Sequence, residues 1–478
     1  MKKFLTSIIV LIAVVSLVAC GGGGNGGYSS DILSPDQIDT SKKVELSFYH
    51  AMGDSNEKVM QSIADKFSVE MKKQYGVDVT VTFTSQGNYD TLRKTIAAAI
   101  SAGDQPTIAQ TYPDHVSLYL EGEAVRELDS YVEHSEYGLK GSEANSYGFV
   151  DSYWAEGRIY DKDKTLYSIP FNKSTEVVFY NIELFEKYGW EAPQTWDDVK
   201  EICENWKNTT EYQNIVKKGT KTAGMGIDSE ANFFITLIQQ WGSEYTGFDE
   251  SGKGVYLFNN DTTREALAWL VDEFNAGNLA SATHFGTDYC SDAFKAQQIP
   301  MTIGSSAGAS YNISSDGSFT TGVAPYPQMA GAAEDEKFVI QQGTNVTLFK
   351  CDDRQQELFG WLFIKFLTNY ESALQWTLET AYYPTRKDVI ASAEYQEYVS
   401  QIVKDAAGNE KYIYDPIKEV CNVGLIGQSD YYYTSVAFPG TAKAREEAEL
   451  IIQEILYNQT EYTIEKALDD AIKALLNN

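Results

Sequence analysis

The chain has 478 residues, of which 43% are hydrophobic and 13% aromatic, so it is long and apolar enough for two or three domains, and intrinsic disorder is excluded. Its formal net charge of −30 argues against a nucleic-acid partner, because phosphate recognition requires clustered Lys and Arg. The four histidines are scattered and predict no metal site, and no cofactor-binding motif stands in the sequence.

The N-terminus has the features of an export signal. Lys2 and Lys3 precede an apolar run, Phe4–Val18, that is shorter than the roughly 20 residues of a membrane-spanning helix. The run ends in Leu-Val-Ala-Cys, which resembles the bacterial lipobox and predicts a signal peptide over residues 1–19 with lipid on Cys20. Because two lipid chains anchor a protein stably, the predicted location is the outer face of the cell membrane. An ordinary signal peptide with an incidental cysteine is the alternative.

A glycine- and serine-rich stretch follows, and residues 20–42 are predicted to be a flexible linker between the anchor and the folded body. The remaining cysteines, Cys203, Cys290, Cys351 and Cys421, are far apart and form no Cys-x-x-Cys motif. They either pair or stay buried as free thiols, and we favour the second interpretation.

Apolar residues with strand and helix periodicity alternate through the first part of the body. Asp54-Ser55-Asn56-Glu57 offers a helix cap with an acid three residues later. The predicted elements are strands at Val44–Tyr49, Val77–Phe83 and Ile108–Thr111 and helices at Asp54–Tyr75 and Leu92–Ile100. This strand–helix order predicts a parallel sheet covered by helices.

The same alternation resumes further along the chain. Gly189 stops one short helix, and Thr195 is predicted to cap the next one. The predicted strands are Glu176–Tyr180, Ile299–Ile303 and Val339–Leu348, and the predicted helices are Ile182–Tyr188, Trp196–Trp206, Thr263–Ala276, Leu358–Leu367 and, in the main, Ile451–Leu475. The fold class is therefore α/β throughout.

Two segments narrow the interpretation. They are Leu166–Asn181, which contains Pro-Phe-Asn-Lys-Ser-Thr and leads to Pro193-Gln194-Thr195-Trp196, and Met301–Ala307, which contains Gly-Ser-Ser. Both resemble segments of the extracellular solute-binding proteins of carbohydrate ABC importers. The Pro-Phe-Asn-x-Ser-Thr motif is closest to the glycerol-3-phosphate-binding branch, and the resemblance extends from Val44 to Leu475.

The resemblance implies a two-lobe fold of the periplasmic-binding-protein type (type II), in which hinge-linked lobes close on a ligand in the cleft between them. Lobe one would comprise residues 43–172 and 328–378, and lobe two residues 173–327 and 385–478. Pro170 and Pro384 fall near the predicted crossings, where a fixed φ would steady a hinge. Either proline can equally be an ordinary turn residue.

The resemblance also assigns ligand-binding positions. A small polar solute gives up water on binding, so its site must offer backbone amides, hydroxyls and one or two charges, with aromatic rings against its apolar faces. The predicted ligand-binding residues are Tyr89, Ser174, Ser305, Gly343, Tyr382 and Arg445. In the glycerol-phosphate binders an arginine at the position of Arg445 pairs with phosphate, which suits its planar guanidinium. Taken alone, each residue also fits a plain role in a core, a turn or a solvated helix face.

The sequence departs from that branch at the polyol end of the site. Pro113 stands where the branch has an acid, and Asp114 beside it is expected to point elsewhere. Asp228–Phe233 replaces tryptophans, and Trp241 comes too late to substitute for them, although Tyr431–Tyr433 could supply another aromatic wall. The residues predicted to bind the anionic group are therefore retained better than those predicted to bind the polyol. The ligand is expected to be a polyol phosphate, a related phosphodiester or a neutral sugar.

Two other classes of function are considered, a surface glycosidase and an adhesion lipoprotein. A glycosidase needs paired carboxylates; the 68 acids supply pairs by chance, but no catalytic motif frames them. Adhesins tend to carry β-rich repeats, and we find no internal repeat. The sequence therefore predicts a monomeric receptor, not an enzyme, that binds a carbohydrate or polyol phosphate and docks on ABC permease subunits in the membrane.

Overall fold

The computed structural model describes residues 32–314, 316–380, 382–404 and 410–477. The predicted signal peptide and Cys20 lie outside the described residues. Within the described segments, no helix combines the length and the apolar character that a bilayer crossing requires. The chain from Leu33 onward forms one compact unit.

Fourteen strands lie in the described part of the chain, and ten of them share one sheet. They are β1 (Val44–His50), β2 (Val79–Ser85), β3 (Ile108–Thr111), β4 (Ile169–Asn181), β5 (Met225–Ile227), β6 (Thr246–Phe248), β7 (Gly254–Tyr256), β8 (Leu279–Ser281), β9 (Met301–Ser305), β10 (Thr321–Ala324), β11 (Val339–Leu348), β12 (Ile402–Lys404), β13 (Glu410–Tyr412) and β14 (Tyr432–Tyr433).

The antiparallel pairing of β4 with β11 lies at the centre of this sheet, whose order is β2-β1-β3-β11-β4-β9-β5-β8. β2, β1 and β3 run parallel on one side, and β9, β5 and β8 run parallel on the other. β4 pairs with β11 through residues 169–175 and with β9 and β10 through residues 176–181. The proposed lobe boundary at residues 172 and 173 therefore falls inside a single strand that serves both halves of the sheet.

Helices cover both halves of the sheet. They are α1 (Asp54–Tyr75), α2 (Tyr89–Ala102), α3 (Pro113–Glu121), α4 (Asp129–Val132), α5 (Asp151–Glu156), α6 (Ile182–Tyr188), α7 (Trp196–Trp206), α8 (Thr210–Lys217), α9 (Glu230–Gln240), α10 (Asp261–Asn275), α11 (Ala282–Phe285), α12 (Cys290–Lys295), α13 (Arg354–Leu367), α14 (Tyr370–Thr380), α15 (Lys387–Ile390), α16 (Ala393–Val399), α17 (Pro416–Val420), α18 (Thr441–Tyr457) and α19 (Ile464–Leu476).

Local sequence signals explain several of these helix boundaries. Thr195 caps α7 as predicted, since its hydroxyl accepts from the backbone N–H of Asp198 at 3.2 Å. The predicted side-chain cap of α1 is wrong: the N-cap is Gly53, which has no side chain to offer, and Asp54 is already helical. α10 likewise begins at Asp261, because Asn260 accepts from the backbone N–H of Thr263.

The helix predicted over residues 451–475 is two helices, α18 and α19. Asn458 ends α18 outside helical geometry, and Thr463 opens a new helix by accepting from the backbone N–H of Lys466 at 3.2 Å. The apolar periodicity runs through both helices, so periodicity alone did not show the break. A threonine cap was the local signal for it.

The segment 33–42, assigned to the flexible linker from the sequence, is held against α13. The backbone N–H of Asp39 donates to Gln355 Oε1 at 2.8 Å, and Gln355 Nε2 donates to the carbonyl of Asp39 at 3.0 Å. Lys42 Nζ also lies 2.5 Å from Asp353 Oδ2. The folded body therefore begins before the predicted linker ends.

The four cysteines of the described chain are free thiols. Cys203, Cys290 and Cys421 are buried, as we favoured from the sequence, whereas Cys351 is partly exposed. Burial raises the pKa of each of the four thiols, so they remain protonated at neutral pH and resemble small apolar side chains in the core.

Aromatic rings fill the space between α13 and the first half of the sheet. Phe363 of α13 contacts Phe67 of α1 at 5.1 Å and Phe48 of β1 at 6.3 Å between ring centroids. Trp361 is fully buried and donates its indole N–H to the carbonyl of Tyr137 at 3.0 Å. This core positions β1 and β3, whose carboxyl ends lead to the site described next.

We expect Trp361→Ala to lower the free energy of unfolding by about 3–5 kcal/mol, because it leaves a large cavity in the core and removes the indole hydrogen bond to Tyr137. Guanidinium denaturation followed by circular dichroism measures the change. Val69→Ala on α1 is the control: Val69 is 71% exposed, so its truncation should change stability by less than about 0.5 kcal/mol. Equal effects of the two substitutions would contradict this description of the core.

Candidate ligand-binding site

A cavity of about 310 Å³ opens where β4 and β11 meet the helices of both halves. This volume lies at the lower end of the range of small-molecule sites. Each ligand-binding residue predicted from the sequence lies in its wall: Tyr89, Ser174, Ser305, Gly343, Tyr382 and Arg445. The structure thus brings together residues that are distant in sequence. That they bind the ligand stays a prediction.

Three helices begin at the cavity. The first residue of α2 is Tyr89, α3 begins at Pro113, and α18 begins at Thr441; all three residues line the wall. Some of the first N–H groups have partners in the protein, such as Thr91 with Asn88 Oδ1, but the helix dipole still places partial positive charge at each of these ends. The cavity therefore lies in a field that favours a negatively charged group.

Gly343 brings the backbone of β11 to the cavity wall. Its φ is +86°, and a Cβ at this position would lie 2.0 Å from the carbonyl oxygen of Asn172 on β4. A β-bulge follows between Thr344 and Asn345. No other residue fits here without moving β4, so the glycine is required by the close approach of the two strands.

Arg445 is the cationic residue of the cavity wall. Its guanidinium donates through Nη2 to Asn232 Oδ1. Among the described residues, no carboxylate lies within the 4.0 Å ion-pair distance of Arg445, whereas the neighbouring Lys443 pairs with Glu446 and Glu447. Arg445 therefore keeps donors that no acid of the described residues engages in a direct ion pair.

Two acids share the cavity with this arginine. Asp114 lines the wall, which corrects our expectation that it would point elsewhere: Pro113 begins α3, and Asp114 stands in the first helical turn at the cavity. Glu156 on α5 is buried and forms an ion pair with Lys173, and Glu156 Oε1 accepts from Gln341 Nε2 at 2.8 Å.

Lys173 is fully buried on β4, behind Glu156. Burial lowers the pKa of its amine, while Glu156 opposes this by stabilising the charged form. The ammonium also lies 5.7 Å from the ring centroid of Tyr153. The pair thereby fixes one carboxylate in the cavity wall and leaves Lys173 itself without access to a ligand.

Tyrosines form the aromatic part of the wall. The rings of Tyr89 and Tyr112 meet edge to face at 4.8 Å, and Tyr382 stacks on Trp376 at 5.9 Å. Burial raises the pKa values of Tyr89, Tyr112 and Tyr382, so their hydroxyls stay protonated at neutral pH and can donate. Tyr245 also lines the cavity.

Of the tyrosine run 431–433, only Tyr433 lines the cavity among the described residues. Tyr431 donates to Glu334 at 2.9 Å, and Tyr432 stacks on Tyr153 at 5.9 Å. Trp241 packs against Trp269 at 5.1 Å in a core, away from the cavity wall. Of the three tyrosines expected to form an aromatic wall, Tyr433 is therefore the one that contributes to it.

Comparison with known proteins agrees with this architecture. A family model described as bacterial extracellular solute-binding protein matches residues 63–401, which is more than half of the chain. The chain belongs to this family. Its members capture solutes outside the cell and work with ABC permeases, and the resemblance inferred from the sequence is confirmed.

Several relatives of this solute-binding protein are known. The sn-glycerol-3-phosphate-binding periplasmic protein UgpB of Escherichia coli K12 is 26% identical over 345 residues, which are 72% of this chain and 74% of that protein. The protein of Shigella flexneri serotype 5b with the same name matches equally, at 26% over 345 residues, with the same coverage of both chains. These relatives are binding proteins, not enzymes.

Two solved structures share the fold. UgpB from Mycobacterium tuberculosis, in complex with glycerophosphocholine, has a TM-score of 0.68 at 17% identity, over 91% of this chain and 98% of that one. The GacH receptor of Streptomyces glaucescens, solved unliganded and with acarbose, has a TM-score of 0.66 at 17% identity, over 91% and 99%. The predicted two-lobe α/β fold is confirmed.

The sequence alone did not identify several polar residues of the wall. Asn232 and Gln342 line the cavity, as does Glu156. Asn232 lies in the segment 228–233, which stood out in the sequence only because it lacks tryptophans. The sequence therefore drew attention to the segment, but the amide of Asn232 was not proposed as part of the wall. Glu156 gave no signal, because it ends a short helix in a segment without a motif.

We expect Lys173→Ala to destabilise this solute-binding protein by about 3–5 kcal/mol, because it leaves the buried Glu156 carboxylate without its counter-charge. The double variant Lys173→Met with Glu156→Gln removes both charges and should recover most of that loss. Chemical denaturation of the two variants and the parent measures it. A double variant as unstable as the single one would show that packing, and not charge, sets the cost.

Proposed function

We propose that this protein captures a polyol phosphate, or a phosphodiester of one, outside the cell and delivers it to the permease of an ABC importer. The observation that carries the proposal is Arg445, a cavity arginine with no acid of the described chain in ion-pair range. A guanidinium binds phosphate oxygens with two parallel hydrogen bonds, which a neutral sugar does not need.

The rest of the wall supports the same ligand class. The N-terminal ends of α2, α3 and α18 favour an anion at the cavity. Ser174, Ser305 and the protonated tyrosine hydroxyls offer further donors for phosphate oxygens. A phosphate group that loses its hydration water on binding would find hydrogen-bond donors for its oxygens in this wall.

Hydrogen-bond acceptors for the hydroxyls of a polyol are present in the cavity, but at positions other than those of the branch that this chain resembles. The branch that this chain resembles has an acid where Pro113 stands, and here Asp114 and Glu156 both line the cavity. Either carboxylate can accept from the hydroxyls of a glycerol-like group. We propose that they replace the missing acid, so the lost contact is not evidence against a polyol ligand.

The relatives point the same way. The Escherichia coli protein is named for binding sn-glycerol-3-phosphate, and the Mycobacterium tuberculosis protein was solved with glycerophosphocholine. A neutral sugar is the second candidate, because tyrosine rings and two carboxylates are also what a sugar site uses and because the GacH receptor was solved with acarbose. We propose that the protein binds its ligand without catalysing a reaction and that it acts as a monomer. We also propose that the two lobes assigned from the sequence close around the ligand.

A thermal-shift panel of glycerol phosphate, glycerophosphodiesters, sugars and polyols tests the ligand class. At 100 times its dissociation constant, a ligand stabilises the folded protein by about 2.7 kcal/mol, which raises the melting temperature measurably. We expect the phosphate-containing compounds to do so. A response only to neutral sugars would select the second candidate, and no response at all would contradict both.

Arg445→Ala should weaken binding of a phosphate ligand by roughly 10- to 100-fold, because a hydrogen bond to a charged group contributes about 1.5–3 kcal/mol. Isothermal titration calorimetry measures it. Lys443→Ala is the matched control: Lys443 lies on the same helix and pairs with Glu447 at 2.9 Å, outside the cavity wall. Equal affinity in the Arg445 variant would rule out the proposed anion contact.

We further propose that lipid on Cys20 tethers the receptor to the outer face of the membrane, near its permease. In a bacterium that processes lipoproteins, Cys20→Ser should move the protein from the membrane fraction to the medium or the soluble envelope fraction. Immunoblots of the fractions, with labelled palmitate incorporation, check this. Continued membrane association of an unlabelled Cys20 variant would contradict the lipid anchor.

A further inference from the structure

A second glutamate lies directly behind the cavity wall. Glu176 is on β4, opposite Ser305 in the register with β9, and only 2% of it is exposed. The backbone carbonyl of Glu176 accepts from Gln428 Nε2 at 2.8 Å, and this hydrogen bond holds the backbone of the residue in place. Its carboxylate is thus fixed in the interior beside residues that do line the cavity.

The carboxylate of Glu176 receives two amide donors. Asn232 Nδ2 donates to its Oε1 at 3.0 Å, and Gln342 Nε2 donates to the same oxygen at 3.1 Å. Because a carboxylate only accepts, it requires Asn232 to present its NH₂ group inward. The oxygen of Asn232 is then directed to the cavity, where it accepts from Nη2 of Arg445.

The other oxygen of this carboxylate has no such partner. Glu176 Oε2 is buried, and among the described residues it accepts no hydrogen bond. Among the described residues, the ionisable groups that interact with Glu176 include Arg445 on α18, Asp228 after β5, and Tyr326. Burial raises the pKa of Glu176 to about 7, and burial raises that of Asp228 to about 6.

We propose that Glu176 is a positioning residue of the anion subsite: it orients Arg445 through Asn232, and its protonation state sets the affinity for the bound anion. This inference rests on the proposed function, since it needs an anionic ligand at Arg445. A proton on Oε2 leaves both amide hydrogen bonds to Oε1 intact, so the geometry persists while the negative charge is removed.

The direction of the pH effect follows from charge. An anion at Arg445 lies near Glu176 and disfavours its ionised form, so binding raises the pKa of Glu176 and takes up protons at pH values between its free and its bound pKa. Affinity is therefore highest below about pH 7 and falls above it. If the anion raises the pKa of Glu176 by about one unit, the loss approaches tenfold. Asp228 would act in the same direction, at lower pH.

The test is calorimetric titration of the purified protein with glycerophosphocholine and with glycerol 3-phosphate between pH 5.5 and 8.5. The phosphodiester has no group that titrates in this range, so its profile reports on the protein. We expect the parent to bind about tenfold more weakly at high pH than at low pH. We also expect proton uptake that is largest just above pH 7, measured by repeating the titration in buffers of different ionisation enthalpy.

Three variants separate positioning from charge. Glu176→Gln keeps an acceptor for Asn232 without the charge, so it should bind at every pH as tightly as the parent does at low pH. Glu176→Ala should bind more weakly throughout, because Asn232 is no longer held. Asp228→Asn is the matched control and should keep the slope, moved to somewhat lower pH because the charge of Asp228 helps to raise the pKa of Glu176.

Each alternative result has a distinct meaning. A flat parent profile without proton uptake overturns the inference and needs no variant, so a Glu176 variant that fails to fold does not prevent a decision. A slope that persists in Glu176→Gln and disappears in Asp228→Asn also overturns it. If neither phosphate compound binds at any pH, the proposed function itself fails, whereas binding with a flat profile removes only the role of Glu176.

Discussion

The structure depends on the antiparallel contact between β4 and β11. These two strands join two parallel sheet halves that would otherwise be separate, and Gly343 allows them to approach more closely than any side chain would permit. The bulge after Thr344 shifts the register, so residues on either side of it face different surroundings. The cavity lies at this contact, and its wall includes residues of both strands.

Burying polar groups along this contact has a cost that the chain offsets by pairing. Lys173 is paired with Glu156, and Gln341 satisfies the other oxygen of that carboxylate. Glu176 receives two amides but retains one unsatisfied oxygen. A carboxylate with a partner on each oxygen mainly fixes geometry, whereas a buried carboxylate oxygen without a partner raises the energy of the charged form. The two glutamates, close to the same cavity, therefore have different electrostatic roles.

Much of the fold could be predicted, because its signals are local. β3 and β11 have the predicted bounds, and the Thr195 cap follows from a short motif. The places of Asp114, Glu156 and Asn232 could not be predicted, since each depends on which face of a helix meets a strand far away in sequence. The family motifs pointed to residues that lie in the cavity wall, but they carried no information about replacements from other elements.

Side-chain contacts also connect the helices that begin at the cavity. Across its rim, Arg93 of α2 lies 3.0 Å from Glu446 of α18, and Ser117 of α3 lies 3.3 Å from Thr441. Glu446 is about half exposed, and exposed ion pairs contribute only about 0–1 kcal/mol. The main effect of these contacts is therefore geometric: they position the first turns of α2, α3 and α18, where Tyr89, Pro113 and Thr441 line the cavity wall.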